Sequence, residues 1–118
     1  MNKSDFFAAV APQQTDIDVA GFGLVRLIQL SDLDRFKKYE LWLRPDEKID
    51  TERMDRATYK LVTLCAHFVN EDGSTGSLLF DDDDIDNLAN SATGPITELC
   101  NAAVRLNSNG QLEKKSDA

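Results

Sequence analysis

The sequence predicts an α+β fold: one mostly helical domain with a short N-terminal β-hairpin packed on about four helices. Three observations lead there. An alternating stretch, "DIDVAGFGLVRLIQL" (16–30), is broken by two glycines. Four later stretches repeat apolar residues at three- and four-residue steps, and each has its own start and stop signals. The chain has 118 residues, 42% hydrophobic and 29% charged, which suits one soluble globular domain. It divides into an N-terminal arm (1–15), a folded domain (16–108) and a disordered polar tail (109–118).

The arm carries Phe6, Phe7 and Val10 among small and polar residues, enough for one helical turn or a docking segment. In the hairpin, Ile17 and Val19 alternate with Asp16 and Asp18, and Val25 and Leu27 continue beyond the turn. Gly21 and Gly23 supply the positive φ that such a turn requires. "GFGLVR" lacks the third glycine and the long strand–turn–helix setting of a dinucleotide site.

The first helix, near 31–43, opens on Ser31 with Asp34 three residues on, and Pro45 ends it. Leu33, Phe36 and Leu43 share its apolar face, with Tyr39 at the border. Trp42 lies about 110° from the centre of that face at about 100° per residue. It is therefore a candidate contact residue, or it packs against the hairpin. The second helix, 51–69, carries Met54, Ala57, Leu61, Leu64, Cys65 and Phe68 on one face and Lys60 on another, with Asp50 or Thr51 as cap.

"LLFDDDDIDNLANS" (78–91) reads as a helix start. With Asp81 as cap, Phe80 and Ile85 have the spacing of a hydrophobic staple, and Asp82, Asp83 and Asp84 fill the turn where the positive helix end favours anions. Residues 70–90 contain no lysine or arginine, so the same run forms an acidic contact patch. The last helix, 95–107, has Pro95 near its start and Ile96, Leu99, Cys100, Ala103 and Leu106 on one face. The expected core is Phe36, Leu61, Leu64, Cys65, Phe68, Ile85, Leu88, Leu99 and Leu106.

Chemistry is sparsely represented. The net charge is -8, opposite to the basic footprint of a nucleic-acid binder. Two cysteines without a CxxC, and the single His67, do not make a zinc set. They read as buried thiols in a reducing cytosol and a structural histidine. A calcium loop centred on Gly73 would put Phe68 and Leu79 at obligatory oxygen positions, and fails. No run approaches the ~20 apolar residues of a membrane span. The expectation is no enzyme, no cofactor, no metal, no nucleic acid and no membrane partner.

The order of elements resembles the tail assembly chaperones of long-tailed bacteriophages. The segments that carry the resemblance are "DVAGFGLVRLIQLS", "LVTLCAHFVNEDGS", "LLFDDDDIDNLANS" and "PITELCNAAVRLNS", spanning roughly residues 15–108. The resemblance implies a non-enzymatic protein of the host bacterial cytoplasm, not carried into the mature virion. It implies binding to the tape measure protein, which is kept soluble, with the major tail tube protein as a further partner and self-association into a homo-oligomer. The residues offered for partner contact are Tyr39, Trp42, Asp82 and Asp83. The competing reading is a small acidic cytosolic inhibitor or nucleic-acid mimic, which the charge permits.

Overall fold

A computed structural model describes residues 1–108. The fold is α+β: a four-stranded antiparallel sheet in the order β1-β2-β3-β4, with helices against one face. The first hairpin forms as its alternation requires. β1 (Gln14–Val19) pairs with β2 (Gly23–Ile28) in unbroken register, Ile17 opposite Val25 and Asp16 opposite Arg26. Gly21 and Gly23 hold φ of 84° and 122° in the connecting turn. Ile17, Val19, Val25 and Leu27 point to the helices; Asp16, Asp18, Leu24 and Arg26 point away.

Ahead of the sheet lies a short helix, α1 (Lys3–Ala9). Its first turn is closed by a capping box in which the Asn2 side chain accepts from the Asp5 amide and the Asp5 carboxylate accepts from the Asn2 amide. None of its residues is buried.

The helical segment after β2 begins as predicted. Ser31 Oγ accepts from the Asp34 amide at 3.1 Å and starts α2 (Asp32–Asp34). A π-helical stretch (Arg35–Glu40) and a last turn, α3 (Leu41–Leu43), follow. The π turn corrects the expected face. Its i→i+5 bonding widens the helix and shifts the phase of every later side chain. Leu43 reaches the core, while Leu33 and Phe36 stay exposed.

The predicted helix 51–69 is a helix only to Cys65. It is divided at Arg56 into α4 (Thr51–Asp55) and α5 (Ala57–Cys65), and residues Ala66–Val69 form β3. A short apolar run reads equally as buried helix or strand from periodicity alone; the open edge of β2 decides it, with Ala66 pairing to Leu27 and Phe68 to Val25. The change moves Phe68 out of the core and leaves Leu64 half-buried, whereas Lys60, assigned by the sequence to the polar side, is buried.

β4 (Thr75–Leu78) completes a second hairpin. Its register against β3 shifts between His67 and Val69. Gly76 suits that irregularity, because a Cβ there would stand 3.0 Å from Phe68 Cβ and from Asn70 Oδ1.

α6 (Asp84–Ala89) is shorter than the predicted 81–91, and Asp81 is not its cap: the N-cap is Asp83, which makes no side-chain capping bond, and Asp81 instead shapes the turn that leads in. Asp81 Oδ1 accepts from the Asp83 amide at 2.9 Å, and Asp84 Oδ2 accepts from the Asp81 amide at 3.0 Å. α7 (Thr93–Ser108) presents Leu99, Cys100, Ala102 and Ala103 to α5, with Ile96 and Leu106 half-buried. Cys65, Cys100, Ala102 and Ala103 are small, so α5 and α7 approach closely over the sheet residues Val25, Leu27 and Ala66. The predicted polar tail, 109–118, lies outside the described residues.

Candidate functional site

Trp42 and Asp82, forty residues apart in sequence, meet at one lysine. Lys60 extends from α5 with its side chain 7% exposed and donates to Asp82 Oδ1 at 2.5 Å, while Asp82 itself is 69% exposed. The same ammonium lies 5.5 Å from the centroid of the Trp42 ring. Arg53, from α4, places its guanidinium 5.4 Å from that ring and donates from Nη1 to the Trp42 carbonyl at 2.8 Å. Two cations thus attend one indole, an arrangement worth about 0.5–2 kcal/mol per contact. Trp42 is half-buried, with both cations set against its ring.

The arrangement follows from local folding. The π turn carries Trp42 round toward α4 and α5. The turn stabilised by Asp81 holds Asp82 above α5, and Arg56 binds Asp86 at 2.7 Å one turn further along. The run of aspartates is therefore partly tied down. Asp82 and Asp86 are ion-paired, Asp81 and Asp84 accept backbone bonds, and Asp83 is exposed with no ion pair among the described residues.

Of the four residues singled out by sequence, Trp42 and Asp82 share this site. Asp83 stands beside it at the helix start. Tyr39 is half-buried against the core; burial, with the nearby Glu40 charge, pushes its phenol above the ordinary value. Sequence reasoning missed Lys60 and Arg53. The available signal was their 18- and 11-residue distance from Trp42 in a region already read as helical, which gave no phase for a cation–π contact.

Elsewhere the titratable groups have structural occupations. Burial pushes the Cys65 thiol up to about 11, so it stays protonated near neutrality and is a poor nucleophile. Its sulfur receives Asn107 Nδ2 at 3.4 Å, and Asn107 Oδ1 also accepts from the Leu30 amide at 3.0 Å. His67 Nδ1 donates to the Cys65 carbonyl at 2.9 Å. Among the described residues, no group of three His, Cys, Asp or Glu side chains gathers where a metal could bind. No described helix is long and apolar enough to cross a membrane.

What this surface can do is bind. Phe22 and Phe68 lie with ring centroids 6.5 Å apart at the sheet tip, each close to half exposed, and Leu33, Phe36 and Leu41 are exposed on the π-turn segment. Apolar residues on ordered elements, set in an acidic surface, are contact material. Comparison with protein-family models, with curated proteins and with solved structures finds no match to this chain.

Proposed function

We propose that this protein is a non-enzymatic assembly chaperone of a long-tailed bacteriophage, acting in the host bacterial cytoplasm and not carried into the mature virion. It binds the tape measure protein, keeps it soluble, and helps bring the major tail tube protein to it. The observation that carries the reading is the set of apolar side chains held outward on ordered elements, Phe22, Phe36, Leu41 and Phe68 among them. Such side chains on a chain of net charge -8 suit an amphipathic helix that must be covered yet remain soluble. The order of motifs shared with the tail assembly chaperones supplies the partner's identity.

The acidic-inhibitor reading rests on charge alone. It is weakened because Asp82 and Asp86 are engaged by Lys60 and Arg56 rather than presented free. Co-expression with tape measure fragments separates the two. The chaperone should hold at least one fragment in the soluble fraction and co-purify with it. A protein that leaves every fragment insoluble, and binds none in pull-downs, is not this chaperone.

A further inference from the structure

We infer that the N-terminal helix of one copy of this chain seats in a groove on a second copy, so that the protein self-associates by exchanging arms. The inference gives a structural form to the self-association that the resemblance implies, and does not depend on which partner is bound. It begins with α1. Phe6, Phe7 and Val10 expose 59%, 61% and 56% of their surface. The two phenyl rings meet edge to face with centroids 5.3 Å apart and form one apolar knob. A helix of seven residues is well below the ~12–15 that are marginal alone in water, and most helices in proteins owe their stability to a packed face. The capping box secures the first turn of α1 but covers none of its apolar surface.

The same chain carries a receptacle. A groove of about 1050 Å³ opens between the end of α1, the β1–β2 hairpin, the start of α2 and the last turns of α7, with Ile17, Leu30, Ala102 and Leu106 in its lining. Val10–Gln13, the link from α1 to β1, forms part of its wall. That link is fixed at its far end, where Gln13 accepts from the Gln29 amide at 2.8 Å and donates to Gln29 Oε1 at 3.1 Å. It also contains Pro12, whose ring locks φ. For α1 to fill its own groove, the chain would have to reverse within a four-residue link that is itself the groove's wall. A second copy has no such restriction, and exchange of an identical element is a low-cost route to a dimer. Size agrees: in a reciprocal exchange each chain contributes the seven residues of α1 and the sixteen that line the groove, Ala9 being common to both, matching the roughly 20–30 residues per side of a stable interface.

The test uses the full chain. Chains carrying Phe7→Cys are mixed with chains carrying Asp32→Cys, a groove residue whose side chain is 96% exposed; the native Cys65 and Cys100 are buried. Mild oxidation should yield a disulfide-linked pair containing one chain of each kind. Light scattering should give at least a dimer for the wild type at tens of micromolar. The Phe6→Asp/Phe7→Asp variant should weaken association on the order of 30-fold or more with an unchanged near-ultraviolet spectrum. A monomeric wild type, an oligomer indifferent to the arm variant, or an intrachain bond in the Phe7→Cys/Asp32→Cys chain would each overturn the inference. None of these results would touch binding of the tape measure protein, which is read separately by pull-down.

Discussion

α1 and the Trp42 neighbourhood put aromatic residues to opposite conditions. Both are short helical pieces with large rings and nearby charge. Trp42 is clasped by Arg53 and Lys60 from two other helical elements, and Lys60 is in turn held by Asp82. Phe6 and Phe7 pack edge to face on each other and are both more than half exposed. The difference teaches that an aromatic ring is not informative by its type. What distinguishes a structural ring from an available one is whether other elements supply partners for its face.

The largest effect expected from this contrast is in stability. Trp42→Ala should cost about 3 kcal/mol, since it removes a half-buried indole and two cation–π contacts. Phe7→Ala should stay within about 0.5 kcal/mol, as for exposed positions generally. Urea melts of the two variants at a protein concentration where the chain is monomeric give the comparison directly. Equal losses would erase it.

Alkali should sharpen it next. The Cys65 thiol lies in the core on α5, the helix that also carries Lys60, and burial raises it from its ordinary 9.0 to about 11. The folded state therefore holds this proton more tightly than the unfolded state. The resulting stability is complete below about pH 9 and is lost as pH climbs through about 11, amounting to about 3 kcal/mol at roughly 1.4 kcal/mol per unit. Tyr39, also raised by burial, acts with the same sign. Melts followed by Trp42 fluorescence between pH 8 and pH 11 (about the range set by these groups) should show the fall. Cys65→Ala should flatten it.

The smallest effect separates the ion pair from the packing. Asp82→Asn leaves a buried ammonium without its counter-charge and should cost about 1 kcal/mol, discounted because Asp82 is mostly exposed. Lys60→Met keeps a long apolar stem beneath Trp42 and buries no charge, so it should cost less than Asp82→Asn. Thermal melts that rank the two the other way would make the pair, rather than the packing, the source of the brace.

Much of this was legible in the sequence. Gly21 and Gly23 between alternating runs gave the first hairpin, Ser31 a capped start, the aspartate run the approach to α6 though not its cap, and the Leu99–Ala103 face the last helix. The second hairpin was not, because "AHFV" continues the apolar pattern of α5 and only the waiting edge of β2 turns it into a strand. The exposure of Phe36 was not legible either, since a π turn alters phase without altering composition. At the site, Trp42 and Asp82 could be named singly, but their meeting at Lys60 depends on how α5 sits under both. That is a tertiary fact with no local signature.

Arg26 links two chain closures of very different length. Its Nε and Nη2 bind the Asp16 carboxylate at 2.8 and 3.1 Å, ten residues away, and its hydrogen bonds hold that carboxyl below the usual carboxylate range. Its Nη1 donates to the Gly73 carbonyl and to Thr75 Oγ1 at 2.9 and 3.0 Å, across 47 and 49 residues. Closing ten residues is entropically easy, and closing nearly fifty adds only slowly to the cost, so topology rather than energy sets their order. The hairpin that forms locally presents a guanidinium already aimed by Asp16. The distant β3–β4 turn then finds a rigid fork instead of a free side chain, and part of the ordering entropy of its own tie has already been spent elsewhere.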